Sequence, residues 1–515
     1  MSLILNRRNL MQGAAAGALI LGSGVKPAFA QPKAGGTLRV GKGHGSTADS
    51  LDPATWENGY TLSIAFGCYN FLTEVGPDGS LLPELATEWE GSEGASVWTF
   101  KLREGIQFHN GAPFVAADVV ASLSHHMGDD SESAAKVIVA SITKMETPDD
   151  HTIIFTLDGG NADFPFILSD YHLPIGKPGD DGKVDWFTVN GTGGYTLESF
   201  DPGVRTVFQK QGNYWKEGRA HFDTIELLAI TDPTARTNAL LSGQVDVIDR
   251  VDVKTASLFD AAPNIALQSI AGTQHFVFPM DTRVGPFSDN NVRNAIKHSF
   301  NRQELVDKVL SGFGSVGNDH PIGSGQRYHA ADLPQTPYDP DKAKWFLGQS
   351  GLTSIDVDLS ASDAAFGGAV DAALLIANSA AASGININVI REPNDGYWSN
   401  VWMVKPWCAS YWGGRPVEDQ MLSTAYASGA AWNDSFWENE RFNTVLVEAR
   451  AELDDAKRRE MYFELQQILN TDGGVVVPMF ANYVFAMNTT IGHEDKMGSN
   501  WDMDGERYME RWWFN

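Results

Sequence analysis

The chain has 515 residues, with 65 acidic against 38 basic side chains and a formal net charge of −27. Nucleic-acid phosphates require Lys and Arg, so this balance excludes a nucleic-acid partner, and it weighs equally against docking on anionic lipid through basic patches. A chain this long is expected to divide into two or three domains around large cores, with repulsion between copies favouring solubility.

The first thirty residues read as an export signal. Arg7 and Arg8 precede an uncharged run over 14–24, and Ala28-Phe29-Ala30 supplies a small-x-small cleavage pattern. The run is too short to span a bilayer, and the paired arginines give it the form of a twin-arginine signal, which exports folded chains. Cleavage would start the mature chain near Gln31, more acidic still, because the signal holds Arg7, Arg8 and Lys26 and no acid. A periplasmic location follows. Of the two cysteines, Cys68 and Cys408, a disulfide is possible in that compartment, but the reading preferred is two separate small apolar residues.

Gly36-Thr37-Leu38-Arg39-Val40-Gly41 reads as a first strand leading into a glycine-rich turn with His44 and Ser46. Period-two alternation predicts half-buried strands over 98–102 and 152–157, with a helix over 116–126 between them. A strand over 225–230 precedes a helix over 234–242. Ser288 stands where an N-cap belongs, ahead of Val292, Ala295, Ile296, Phe300, Leu305 and Val309 at helical spacing. Asp339-Pro340-Asp341 opens a short helix to Leu347, and strands over 355–359 and 385–390 bracket a helix over 369–382. One long helix over 440–470 carries Val445, Leu446, Ala449, Leu453, Met461, Leu465, Ile468 and Leu469 on a single face, before a buried strand over 475–479. Alternating strands and helices of this kind point to mixed α/β lobes.

Catalytic signatures are missing. There is no Gly-x-Ser-x-Gly elbow, no convincing Ser-x-x-Lys, no His-Glu-x-x-His, no Cys-x-x-Cys and no phosphate loop. Gly312-x-Gly314-x-x-Gly317 has the letters of a dinucleotide fingerprint but follows a helix, so it reads as a helix-ending loop. His125 and His126 are helix neighbours and point to different faces. No metal and no cofactor are expected. Aromatic residues are the feature left over: Tyr397, Trp398, Trp402, Trp407, Tyr411, Trp412, Tyr426, Trp432, Phe436 and Trp437 crowd one stretch around Gly413-Gly414-Arg415-Pro416. They are either core or a cleft wall, with Arg415 and Asp419 orienting what the wall holds.

Trp98-Thr99-Phe100-Lys101-Leu102-Arg103-Glu104-Gly105-Ile106-Gln107-Phe108-His109-Asn110-Gly111-Ala112-Pro113-Phe114, continuing through Ala117-Asp118-Val119, resembles the signature segment of the solute-binding proteins of peptide/nickel/opine-type ABC importers, solute-binding protein family 5. Leu51-Asp52-Pro53, Asn190-Gly191-Thr192-Gly193-Gly194-Tyr195, Leu241-Ser242-Gly243-Gln244-Val245-Asp246, Phe287-Ser288-Asp289, Tyr338-Asp339-Pro340 and Ala456-Lys457-Arg458-Arg459 echo it in the same order. The resemblance implies an α/β, two-lobed periplasmic-binding-protein type II fold with an extra subdomain on the first lobe. The parts are then a signal over 1–30, a first lobe over 31–75, 190–275 and 482–515, the subdomain over 76–189 and a second lobe over 276–481, with crossings near 272–278 and 478–483.

It further implies a monomer, not an enzyme, that captures a peptide or small amino-acid-derived solute and delivers it to an inner-membrane ABC permease. Nickel or haem carriers of the same family, and an exported peptide or amide hydrolase, are the alternatives. In dipeptide-binding members an acid after a Trp-x-Gly turn pairs with the peptide's amino terminus; here that position holds Gly414, followed by Arg415. An arginine in a closed cleft invites a carboxylate or phosphate, or else it braces Asp419. The ligand-facing residues expected are Tyr411, Trp412, Gly413, Arg415, Asp419, Ser362 and Asp363 from the second lobe. His44 and Ser46 are expected from the first, with Trp432 and Asn433 as further candidates.

Overall fold

The computed structural model describes residues 32–128, 131–394, 396–415 and 417–515; the export signal expected over 1–30 lies outside them. Two long strands, Ile265–Pro279 and Val475–Asn488, run antiparallel through the middle of the molecule. Strict alternation along them buries both faces. At one end Val484 and Ala486 enter one core while Phe485 and Met487 enter another. At the other end Phe276, Phe278, Val476 and Met479 feed a third core, and Val277, Val475, Val477 and Phe480 a fourth. Between the two ends the register slips from Ala271 to His275. That irregular stretch is where the cores of the two halves hand over.

Among the described residues these strands belong to a nine-stranded sheet. On one side it continues through Val247–Ile248, Thr37–Lys42, Thr224–Ala229, Arg205–Lys210 and Tyr195–Asp201; on the other it ends at the short edge strand Ser410–Trp412. Helix Gly59–Cys68 packs its buried side chains on the first part, its N-terminus capped by Asn58, whose side chain accepts from Tyr60 N and Thr61 N. A separate four-stranded antiparallel layer, ordered Ala86–Ser92, Val97–Leu102, Thr152–Leu157 and Ile142–Asp149, closes a core of its own with helix Ala116–Ser124. In the second half, parallel strands Ile355–Ala361 and Ile385–Arg391 flank helix Ala369–Ala380, the crossover that parallel pairing requires. Cys68 and Cys408 are free and buried.

Two helical stretches differ from their expected form. The apolar spacing from Val292 to Val309 is carried by two helices, Asn290–His298 and Arg302–Val309. Asp289, not Ser288, caps the first, and the Asn301 side chain caps the second by accepting from Glu304 N. Likewise 440–470 is not one helix but Glu440–Ala451 and Asp455–Asp472. The Asp454 carboxylate accepts from Ala456 N and Lys457 N and so starts a new helix, which leaves Leu453 in the break, 49% exposed instead of on the buried face. Apolar spacing survives a break; cap chemistry decides where it falls.

Buried ions tie the layers together. Lys216 Nζ lies 2.7 Å from Glu74, 2.6 Å from Glu84 and 2.8 Å from Glu510, and Arg507 and Arg511 complete the cluster. Elsewhere Asp163 accepts from Arg458 at 2.6 and 2.9 Å and from Arg327 at 2.7 Å, joining the four-stranded layer to the helix pair of the second half. Burial alone would raise the Glu510 carboxyl, but Lys216 and Arg507 hold it down at about 2. Its stabilising contribution is therefore complete above the ordinary value of 4.5 and disappears as pH falls from there through about 2. Replacing Lys216 by Met leaves three glutamates short of their central cation, and denaturant unfolding at pH 7 is expected to show a loss of about 3–5 kcal/mol.

Candidate functional site

Where the long strands lose their register, a cavity of about 390 Å³ opens between the two halves. Gln274, Asn482, Tyr483 and Val484 come from the strands themselves, Gly413 and Gly414 from the edge-strand turn, and His44, Gly59, Asp249, Arg250, Trp501, Asp502 and Glu506 from the first half. Every wall is therefore tied to the sheet or to a helix end packed on it.

The floor is charged. Lys42 Nζ, fully buried, sits 2.8 Å from Glu506 and 3.3 Å from Asp249. Burial would lower its ammonium, but these two carboxylates hold it above its ordinary value. Glu506 is nonetheless pushed up to about 8 by burial, despite Lys42. Gly59 makes room for it: a Cβ there would lie 2.6 Å from Glu506 Oε1, so the acid rests against the electropositive first turn of helix Gly59–Cys68. Asp502 is pushed up to about 7, by burial and then by the neighbouring Asp249. Among the described residues its carboxylate accepts one hydrogen bond, from Met503 N at 2.8 Å. The backbone that presents both acids is strained: Met503, Asp504, Gly505 and Glu506 are all left-handed, with φ of 46°, 62°, 68° and 59°. Such a turn costs roughly 1–2 kcal/mol per non-glycine residue. Asp504 holds it, accepting from Gly498 N at 2.6 Å and from Arg511 at 3.0 Å.

Of the expected ligand-facing residues, His44 and Gly413 line this cavity. His44 Nδ1 accepts from Gly59 N at 3.3 Å and Nε2 meets the Arg250 guanidinium; burial, then Arg250, pushes the ring down to about 4, so it is neutral. Ser46 lies outside, in an exposed turn where its hydroxyl accepts from Ala48 N. Ser362 is buried and donates to Asn394, while Asp363 accepts from Gly368 N at the start of the next helix. Asp419 is braced by Arg450, at 3.0 and 3.1 Å, and not by Arg415. Asn433 is buried and donates to Trp437 O at 2.7 Å. From Ser46 onward, each of these partners is a residue that does not line the cavity.

Arg415 does not line the main cavity, although Gly413 and Gly414 beside it do. It lines a smaller one of about 40 Å³ with Thr273, Arg327 and Glu418, and among the described residues it donates to Gly413 O and Gly414 O. Among the described residues it has no ion pair, and burial lowers its pKa. The aromatic stretch divides: Trp407, Trp412 and Trp437 are buried in cores, whereas Trp398, Tyr411 and Trp432 are 42%, 40% and 50% exposed. They are connected through Trp402 and Trp412: Trp398 meets Tyr411 at 5.7 Å and Trp402 at 5.8 Å, Trp402 meets Trp412 at 6.4 Å, and Trp412 meets Trp432 at 6.1 Å.

Sequence reasoning missed Asp249, Arg250, Asp502 and Glu506. The signal available was acids set among packing aromatics between Trp501 and Trp512, where solvated charge is out of place. A serine–histidine contact does occur, Ser133 Oγ to His126 Nδ1 at 2.7 Å, but Asp52 pairs with His125 instead, and Ser133 caps its own turn through Ala135 N. The carboxylates of Glu74, Glu84 and Glu510 are close enough to share a metal ion, yet Lys216 Nζ already stands among them.

At Gly414 the structure gives a physical reason for the missing acid: a Cβ there would overlap Thr273 Oγ1 on the crossing strand. Gly414→Ala is expected to cost about 1–3 kcal/mol in denaturant unfolding, and adding Thr273→Gly should recover part of it.

Residues 80–434 match the bacterial extracellular solute-binding proteins, family 5. The chain is 26% identical over 310 residues to the glutathione-binding protein GsiB of Pectobacterium atrosepticum, a match covering 60% of each chain. It is 24% identical over 503 residues to di/tripeptide-binding protein 1 of Pseudomonas aeruginosa, covering 90% of this chain and 92% of that one. The periplasmic binding protein DppA of Helicobacter pylori, solved with the peptide STSA, superposes with a TM-score of 0.72 at 22% identity, over 93% of this chain and 99% of that one. The fold is the two-lobed type II fold of periplasmic binding proteins, and the chain belongs to family 5 of the bacterial extracellular solute-binding proteins.

Proposed function

We propose that this protein is the periplasmic solute-binding component of an ABC importer, which captures a peptide or small amino-acid-derived solute between its lobes and delivers it unchanged to an inner-membrane permease. The observation that carries this reading is the cavity of about 390 Å³ at the handover of the crossing strands, walled from both halves. It lies within the range of small-molecule sites, about 300–1,000 Å³. The glutathione and di/tripeptide carriers among the relatives support the same solute class.

In this reading the lobes divide at the boundaries expected from the sequence, the protein acts as a monomer after twin-arginine export, and a solute that touches both walls stabilises the closed form by its differential contacts. Arg415 offers the solute an anion site, because it is largely desolvated and forms no ion pair among the described residues. The buried Glu74–Glu84–Glu510 cluster gives no support to direct nickel binding there, since its cation position is held by Lys216.

Native mass spectrometry of freshly purified protein is expected to reveal a bound small solute that is recovered chemically intact. Small-angle scattering should show the emptied protein contracting when that solute is restored. Constant dimensions, or turnover of the solute, would overturn the proposal. Arg415→Ala should weaken anionic solutes about 10–100-fold by calorimetry, the range of a hydrogen bond to a charged group.

A further inference from the structure

We infer that Asp502 anchors a cationic group of the captured solute, an ammonium or a guanidinium, from the first-lobe wall of the cavity. The inference rests on the reading of this cavity as the solute site and adds to it the charge of the solute.

Asp502 is about nine-tenths buried and lines the cavity. One of its oxygens accepts from Met503 N; the other has no partner among the described residues, and no cation forms an ion pair with it. Its charged neighbours are all committed elsewhere. Lys42 is held by Glu506 and Asp249, and Arg236 donates to backbone carbonyls of Ile230, Asp249 and Arg250. Arg250 is turned to His44, a neutral ring. The remaining acids facing the same space are Glu57, Asp249 and Glu506, so the local balance is negative.

A buried carboxylate without a cation is costly, and proteins elsewhere pair or neutralise it. This same chain does so elsewhere: Glu74, Glu84 and Glu510 close on Lys216, Asp163 on two arginines, and Asp319 on Arg302. Two other buried carboxylates lack an ion pair among the described residues, but each accepts from a distant element, Asp434 from Trp402 Nε1 at 3.1 Å and Glu418 from Tyr328 N at 2.8 Å. Asp502 accepts from its own neighbour Met503, at the start of a strained left-handed turn, and faces the cavity. A buried carboxylate left without a cross-chain partner where it lines a cavity is the pattern of a binding group rather than of a structural one. Gln274, Asn482 and Tyr483 opposite provide amide and hydroxyl partners for the rest of the solute.

Asp502→Asn keeps the Met503 hydrogen bond and removes only the charge. A purely structural carboxylate would lower the melting temperature of the empty protein when replaced. The inferred role predicts the opposite, a higher melting temperature, with a larger gain at pH 8 than at pH 5. The sign follows because a carboxyl titrating near 7 in the fold, against 3.8 ordinarily, takes stability away as pH rises through that interval.

The binding test pairs each cationic probe with its neutralised analogue at pH 8: alanyl-alanine with N-acetyl-alanyl-alanine, lysine with Nε-acetyl-lysine, and arginine with citrulline. Thermal shift and calorimetry are expected to show at least one cationic probe binding tenfold or more tighter than its analogue, with that preference lost in Asp502→Asn. The inference is overturned if no cationic probe binds, if the neutralised analogues bind equally well, or if Asp502→Asn retains the preference or is less stable than wild type at pH 8. Solute capture with domain contraction but without a charge preference would sink this inference and leave the proposed function standing.

Discussion

Everything in this molecule depends on two strands that alternate perfectly at each end and cannot do so in the middle. Ile265–Pro279 and Val475–Asn488 contribute side chains to four cores, two in each half, because every second residue points to the opposite face. Where one pair of cores gives way to the other, the register slips between Ala271 and His275. A second slip, between Phe276 and Phe278, lies inside the cores, whereas the one before His275 opens onto the cavity. The cavity, the polar side chains Gln274, Asn482 and Tyr483, and the close approach of Gly414 to Thr273 all lie at that place. The site is a consequence of how the halves are joined.

The second organising feature is buried charge. Carboxylates are best hydrated in water, yet among the described residues several are taken inside, three groups of them in clusters. Two are fully compensated and act as fasteners between layers, Lys216 among three glutamates and Asp163 between two arginines. Their geometry matters more than their strength, because a buried pair gains little over a well-packed apolar pair while its loss is severe. The third, around Lys42, carries one carboxylate more than its cations can hold. The two fasteners are fully compensated, whereas the cluster at the cavity is not.

The aromatic stretch shows how one composition serves two purposes. Trp407 and Trp437 bury their rings and donate their N–H groups to Phe278 O and Asp472, as indoles in a core must. Trp398, Tyr411 and Trp432 continue the same packed series outward and remain partly exposed. Tyr411 and Trp412 are adjacent on an edge strand, so pleating alone sends one out and the other in.

Much of the fold was legible from residue pattern. Period-two runs such as Val97–Leu102 and Thr152–Leu157, and capped helices such as Pro340–Gln349, form where local physics places them. The extended resemblance around Trp98 to Phe114 carried the architecture. Helix breaks were less legible, because Asn301 and Asp454 end a run of apolar spacing without disturbing it. The site was the least legible. Arg415, Asp419 and Asp502 are each a charged residue in an aromatic-rich stretch of sequence, yet among the described residues one has no ion pair, one is claimed by Arg450, and one is left open to a cavity. Local sequence determines which backbone a segment adopts, since dihedral preference and periodicity act over a few residues. Whether a charge is spent on a neighbour or kept for a solute depends on partners from tens to hundreds of positions away, such as Arg450 for Asp419 and Asp249 beside Asp502, and only the tertiary structure brings those together.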